Sequence, residues 1–294
     1  MNKTLLAFFA MLFWLAPWLG AAHSAESDRT NFKEELIKQE NIYRSKEGQV
    51  PSGYVIDRSL IDYTQTLPSD FDRALANLAP KDRWLDIGAG KAQAILDYYA
   101  PEYDLTRLEG RKRRAEKAQA VALSIEDRRT PQWHQTAARL AGGQLKYFFD
   151  KRVRDFSLQE LGRFSVITDL LGGLSYTEEL SVFMEKVLGF LELKGTFYTV
   201  LQDVKSETGA NRPFYANAPY LTELTTTSGD ELKVCSWMKS ISCVEVSCEL
   251  KLEWKPPIEV YRIQKVCDRV TVPVLVRTHF EAGTPPERRY RLKD

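Results

Sequence analysis

The sequence predicts an α/β protein: a doubly wound, mostly parallel sheet with N-terminal helices before it and a disulfide-bearing β extension after it. Three observations carry that prediction. From Lys81 to Leu201, short apolar runs of strand pattern alternate with stretches of helical spacing, the order that builds a parallel sheet covered on both faces. The first of these strands runs into a glycine turn, Gly88-Ala89-Gly90, followed by a helical pattern. All four cysteines lie beyond this region, in segments that alternate apolar and polar residues. The expected organisation is a leader over 1–24, a helical segment over 25–80, an α/β core over 81–230, and antiparallel strands with a tail over 231–294.

The leader follows from the first residues. Asn2-Lys3 is a short positive region, Leu5 to Leu19 is almost wholly apolar, and Gly20-Ala21-Ala22-His23-Ser24-Ala25 supplies small residues for cleavage. That is the layout of a signal peptide, and it predicts an exported protein, periplasmic or extracellular. The apolar run is interrupted by Pro17 and is short for a membrane span. An uncleaved N-terminal anchor is the alternative, and only in that case is a membrane a partner. Composition is ordinary, with 44% hydrophobic and 28% charged residues, and a formal charge of +1. No global field therefore points to nucleic acid. The run Arg111-Lys112-Arg113-Arg114 opens a stretch rich in Ala, Glu and Lys and reads as a solvated helix face over Arg111 to Glu126.

Before the core, Glu26 to Ser45 has amphipathic helical spacing, Asp57 to Leu67 reads as a helix, and Ser69-Asp70 reads as the cap of another through Leu78. The core opens with Trp84-Leu85-Asp86-Ile87-Gly88-Ala89-Gly90-Lys91-Ala92. Glycines at 88 and 90 permit backbone angles closed to other residues and keep side chains out of a ligand's way. The helix behind them, with Ala94, Ile95, Tyr98 and Tyr99 at three- and four-residue steps, begins with free N–H groups and a partial positive charge. This is a nucleotide cradle. A dinucleotide fingerprint is excluded, because the position of its third glycine is Gln93. The pattern apolar-Asp-apolar-Gly-x-Gly-x-Ala resembles motif I of the class I S-adenosylmethionine-dependent methyltransferases, with Ala92 where that family often has glycine.

That resemblance covers Lys81 to Leu201 and implies S-adenosylmethionine as cofactor. It places Asp86, Ile87, Gly88, Ala89 and Gly90 against the ligand. Asp104 to Glu109 reads as the next strand, about 20 residues beyond the turn, and Glu109 inherits the ribose-binding role. Thr130-Pro131 is a break, Gln135 to Leu140 a short helix, and Gln144 to Phe149 a further strand. At its end Asp150 and Asp155 are both candidates for the adenine contact, which stays unassigned because the best register puts Arg152 there. Phe164 to Asp169 is the clearest later strand, and the resemblance sets Asp169 and Leu170 beside the transferred methyl. Capping of a loop is the other reading of Asp169. The absence of a Pro-Pro-aromatic sequence after Asp169 argues against base methylation. A helix from Thr177 to Leu191, with Glu178 and Glu179 in its first turn, and a strand from Gly195 to Leu201 complete the alternation.

From Gln202 to Tyr220 the chain reads as a long excursion suited to a substrate lid, and Pro219 to Thr227 as a helix. An even count of cysteines in an exported chain, without paired C-x-x-C steps, predicts two disulfides rather than a metal site. Of three possible pairings, alternation from Val244 to Trp254 and a turn at Pro256-Pro257 favour Cys248–Cys267, which leaves Cys235–Cys243. The hairpin is suited to supply the antiparallel sixth and seventh strands with which the family ends. Val270 to Phe280 reads as a strand, and the tail from Pro285 as frayed.

The function implied is methyl transfer to an unidentified acceptor by an exported protein, with no nameable general base. His134 and His279 read as structural or exposed. A non-catalytic methyltransferase-like binder is the alternative. A secreted α/β hydrolase is a poor third, because Gly173-Leu174-Ser175-Tyr176-Thr177 ends in threonine where the nucleophile turn needs glycine.

Overall fold

The computed structural model describes residues 57–100, 117–140, 142–201, 222–254, 257–281 and 286–294. The leader, the helix expected over Glu26 to Ser45, the strand Asp104 to Glu109 and the excursion from Gln202 to Tyr220 lie outside them. The chain opens with helices α1 (Leu60–Thr66) and α2 (Phe71–Ala76). Strand β1 (Arg83–Ile87) then leads through the glycine turn into helix α3 (Gln93–Tyr99). Strand β2 (Gln119–Leu123), helix α4 (Pro131–Arg139) and strand β3 (Leu145–Phe148) follow. After the short helix α5 (Leu158–Leu161) comes β4 (Phe164–Asp169), then α6 (Gly173–Tyr176), α7 (Leu180–Phe190) and the long strand β5 (Leu191–Leu201). Strands β6 (Thr222–Thr225) and β7 (Glu231–Leu232), helix α8 (Val234–Lys239), the hairpin β8 (Val244–Lys251) with β9 (Ile258–Lys265), and strands β10 (Leu275–Glu281) and β11 (Glu287–Leu292) complete the chain.

Seven strands form one sheet in the order β3-β2-β1-β4-β5-β9-β8. Pairing is parallel from β3 to β5, and β9 enters antiparallel between β5 and β8. The expected doubly wound, mostly parallel sheet is therefore present, and the cysteine-bearing hairpin supplies its antiparallel end. Two apolar cores cover its faces. One joins α1, α2, α3 and Trp133 of α4 to the sheet; the other joins α7, α8 and the second sheet to it.

Several expectations are corrected. The helix expected through Glu126 gives way to strand β2 at Gln119. Its alanines favour a helix locally, but Ala120, Val121, Ala122 and Leu123 are buried between β1 and β3, and burial on both faces overrides the preference. Tyr98 and Tyr99 of α3 fix its start, one hydroxyl accepting from Ala118 N and the other donating to Ala118 O at 3.0 and 2.6 Å. Thr130-Pro131 is a helix start rather than a break: the Thr130 hydroxyl accepts from Trp133 N, and proline sits where no N–H is needed. Ser59 caps α1 in a reciprocal pair with Asp62. Asp70 makes no cap bond for α2, and instead accepts from Arg262 of β9 at 2.7 Å.

The disulfides are Cys235–Cys248 and Cys243–Cys267, with Cα separations of 6.2 and 4.9 Å, which corrects the expected pairing. The hairpin pairs Val246 with Ile263 and Cys248 with Tyr261, six residues out of the expected register. An even shift keeps every side chain on its own face, so alternation could not tell the two registers apart. The observed one leaves Leu250, Leu252 and Trp254 exposed and brings α8, with Cys235, against Cys248.

A second sheet, β10-β11-β6-β7, was not foreseen. The expected helix over Pro219 to Thr227 is strand β6 from Thr222, and the tail is not frayed. Strand β11 lies between β10 and β6, and its inward residues Arg288 and Tyr290 are buried. The Arg288 guanidinium donates to Thr222 Oγ1 at 2.9 Å and to the Thr177 carbonyl at 2.8 Å.

Candidate nucleotide site

Chain direction across the main sheet reverses at β1: the chain passes to β2 and β3 on one side, then returns to β4 and β5 on the other. The crevice outside the carboxyl ends of such strands is where open α/β sheets bind ligands. The glycine turn stands there. Gly88, Gly90 and Ala92 all have positive φ, at 73°, 55° and 59°. Gly88 is exposed and Ala89 is buried, and both donate their N–H to the Leu123 carbonyl at the end of β2, at 2.9 and 3.0 Å. Ala92, where the family often has glycine, holds the left-handed angle at the start of α3.

A second turn packs on the first. Leu170-Leu171-Gly172-Gly173 leaves β4, with Leu171 at φ 56°. A Cβ on Gly88 would come within 2.7 Å of Gly172 Cα, and one on Gly172 within 2.5 Å of Asp169 Oδ1 and 2.7 Å of the Ile87 carbonyl. Only glycine at both positions lets the two backbones touch. The sequence showed Gly172, but its role depends on a contact between β1 and β4 that no local pattern encodes.

The two acids at the strand ends face inward. Asp86 is fully buried; the Tyr63 hydroxyl of α1 reaches its two oxygens at 2.9 and 3.0 Å, and Thr168 Oγ1 donates to Oδ1 at 2.7 Å. Trp84 Nε1 donates in turn to Thr168 Oγ1 at 2.8 Å. Burial pushes the Asp86 carboxyl up to about 7, against the opposing pull of those two hydroxyls. Asp169 is equally buried and accepts the Gly172 and Leu174 N–H groups, both at 2.7 Å. Burial raises it too to about 7, opposed by the loop amides and by Arg288. Asp169 thus holds the loop after β4, and Asp86 joins β1 to α1 and β4. Ile87 and Leu170 are buried beside them.

The segment before α1 ties the two turns together. Asp57 accepts the Lys91 N–H at 3.0 Å and pairs with its ammonium at 2.6 Å. Arg58 Nη1 reaches the Leu170 carbonyl at 3.5 Å. Glu109 lies outside the described residues, and the strand that stands beside β1 is β2. The loop after β2 carries Glu126, whose carboxylate is held by Arg128 at 2.9 Å. Tyr147 of β3 joins this loop to the glycine turn, its hydroxyl lying 2.6 Å from the Gly90 carbonyl and 3.2 Å from that of Glu126. Arg129 stacks over Phe149 beside it, 5.3 Å from the ring centre. Asp150 is exposed just beyond β3, and Asp155 accepts from Arg152 N in a single helical turn.

The strand order, with an antiparallel hairpin inserted after the fifth strand, meets what the motif I resemblance implies for the whole sheet. No family model and no curated protein matches this chain. Solved structures similar to it include an rRNA methylase from Streptococcus thermophilus, 11% identical with a TM-score of 0.40, over 72% of this chain and 99% of that one. The N-methyltransferase NodS from Bradyrhizobium japonicum, in complex with S-adenosyl-L-homocysteine, is 12% identical with a TM-score of 0.43, over 76% and 98%. A precorrin-6y C5,15-methyltransferase from Geobacter metallireducens is 13% identical with a TM-score of 0.36, over 73% and 92%. His134 and His279 are exposed, and Ser175 is buried with its hydroxyl directed at the Val200 carbonyl, 3.4 Å away. A serine so placed is no nucleophile.

Proposed function

We propose that the chain binds S-adenosylmethionine across the β1 turn and transfers its methyl group to an acceptor outside the cytoplasm. The observation that carries this reading is Gly88: exposed, at φ 73°, and at the point where the sheet's connections reverse. A ligand can lie there directly on backbone. Bound there, S-adenosylmethionine would supply a sulfonium methyl for in-line transfer to the acceptor's nucleophile, with S-adenosylhomocysteine as the leaving group. Sulfonium is already a good leaving group, so the protein's work is alignment and exclusion of water. A formal charge of +1 supplies no global field that points to a nucleic-acid acceptor. Two disulfides that use all four cysteines, with the apolar leader ahead of them, support export to an oxidising compartment. Among the described residues no helix is long and apolar enough to cross a membrane.

In this reading the ribose hydroxyls go to the acid loop after β2, since that strand is β1's neighbour, and to Glu126, whose backbone carbonyl shares the Tyr147 hydroxyl with that of Gly90. Titrating the mature protein with S-adenosylmethionine and S-adenosylhomocysteine tests the whole reading, with saturable binding of both expected. Glu126→Ala should weaken both by about 1.5–3 kcal/mol, the range for hydrogen bonds to a charged group, and Glu109→Ala should leave them unchanged. The reverse result returns the ribose to Glu109. Occupation of the Asp169 carboxylate by its own loop amides favours a second reading, a binder without catalysis. Tight binding with no labelled methyl passed to any fraction of a periplasmic extract would select it.

A further inference from the structure

We propose that the outer edge of β8 is a dimer interface, to which a second copy of this chain adds its own β8 antiparallel. Strand β8 ends the seven-stranded sheet, and among the described residues no strand pairs with its outer side. A row of unpaired N–H and C=O groups is a template for another chain, and folded proteins guard against it with bulges and prolines. Strand β8 has neither guard: its residues pair with β9 in unbroken register from Val244 to Lys251, and none of them is proline. Its apolar face is also incompletely covered. Val244, Val246 and Cys248 pack against the core beside α8, whereas Leu250, next on the same face, is 40% exposed.

The charges choose a second copy as the occupant. Two β8 strands that keep their apolar residues on one common face must pair even positions with even and odd with odd. Centred on Cys248, they overlap from Glu245 to Lys251. Glu245 then lies opposite the partner's Lys251, Val246 opposite the partner's Leu250, and Ser247 opposite the partner's Glu249. A shift of the centre to Ser247 sets Glu245 against Glu249, and a shift to Glu249 sets that acid against itself. The Cys248 register alone among these joins opposite charges, and a two-fold axis through Cys248 makes each contact twice. Glu245, Ser247 and Glu249 are exposed. The Lys251 ammonium donates to the Gln65 and Leu67 carbonyls at 3.3 and 3.5 Å, near the outer limit, and an ammonium carries a third N–H. Antiparallel pairing turns the two glycine-turn crevices to opposite ends of the joint sheet. Neither copy contributes to the other's site, so failure of the dimer leaves the proposed methyl transfer standing.

Sedimentation velocity of the mature protein over about a hundred-fold range of concentration is the test, with monomers expected to pass into dimers by mass action. Glu245→Lys sets a lysine against the partner's Lys251, and Lys251→Glu sets a glutamate against the partner's Glu245. Each variant alone should dimerise about 10- to 100-fold more weakly, since two attractive pairs become two repulsive ones. Mixed, the two variants should associate as tightly as the wild type, because every facing pair is again opposite in charge. A wild type that stays monomeric throughout overturns the proposal, whatever other strand the edge accepts. Dimers that both variants keep at full strength overturn it too, since they form on another surface, and so does a mixture no tighter than either variant alone. If Lys251→Glu does not fold, Glu245→Lys decides: its dimer should be weakened and should strengthen with added salt, which screens the repulsion. A Glu245→Lys dimer as tight as that of the wild type sinks the assignment.

Discussion

Replacing Tyr63 by phenylalanine removes the hydroxyl that reaches both oxygens of Asp86. The carboxyl stays buried with one donor fewer, and the loss should be about 1–3 kcal/mol of stability in urea denaturation, the penalty for a stranded buried group. Asp86 also sets a pH dependence. Its carboxyl stands at about 7 in the folded chain against an ordinary 3.8. Between those values the folded chain holds a proton that the unfolded chain has released, so stability falls as pH rises from about 4 to about 7 and then levels. Asp169 acts in the same sense. Asp86→Asn removes one of the two contributions, and the decline across that window, followed by melting temperature, should become shallower; an unchanged slope would mean that Asp86 is ionised in the fold. Asp86 was legible in the sequence as an acid near a strand end. Its partner was not, because Tyr63 lies 23 residues earlier on a helix whose docking no local pattern records.

Elements read well where their signal was local and poorly where it came from a neighbour. Strand β4 was placed to the residue, since Phe164–Asp169 is apolar and stopped by the turn after it. Strand β2 was not, because alanines form a strand only when two other strands enclose them. The pairing of the two hairpin strands was found, but its register was not, and the disulfides followed the register. Peptide mapping without reduction should recover Cys235 with Cys248 and Cys243 with Cys267. Reducing both bonds should lower stability by about 2–4 kcal/mol per bond, if each constrains the unfolded chain in the ordinary way. At the paired turns, Gly172→Ala pushes a methyl toward Asp169 Oδ1 and the Ile87 carbonyl. The turn must move by a few tenths of an ångström or more, so cofactor affinity should fall together with stability. A variant that melts like the wild type and binds cofactor equally well would show that the turns give way freely.

At the scale of the whole molecule, the last eight residues are structural. Strand β11 lies between β10 and β6, and Arg288 joins it to Thr222 and to the Thr177 carbonyl near the start of α7. Ending the chain at Pro286 should therefore raise amide exchange in Thr222–Thr225 and Leu275–Glu281, while the β1 to β4 amides stay protected; exchange unchanged in the second sheet would mean that it stands without β11. A polar tail hid this from the sequence, because alternate arginines look solvated until a sheet surrounds them. The insertion of β9 beside β5 has a consequence for a chain that is made from its N-terminus onward. The nucleotide half emerges first, and the β5 edge stays open to any passing strand until residues 258–265 arrive to cover it. During that interval the nascent protein is a template for mispairing, and a chaperone that shields β-edges would have its best-timed target here.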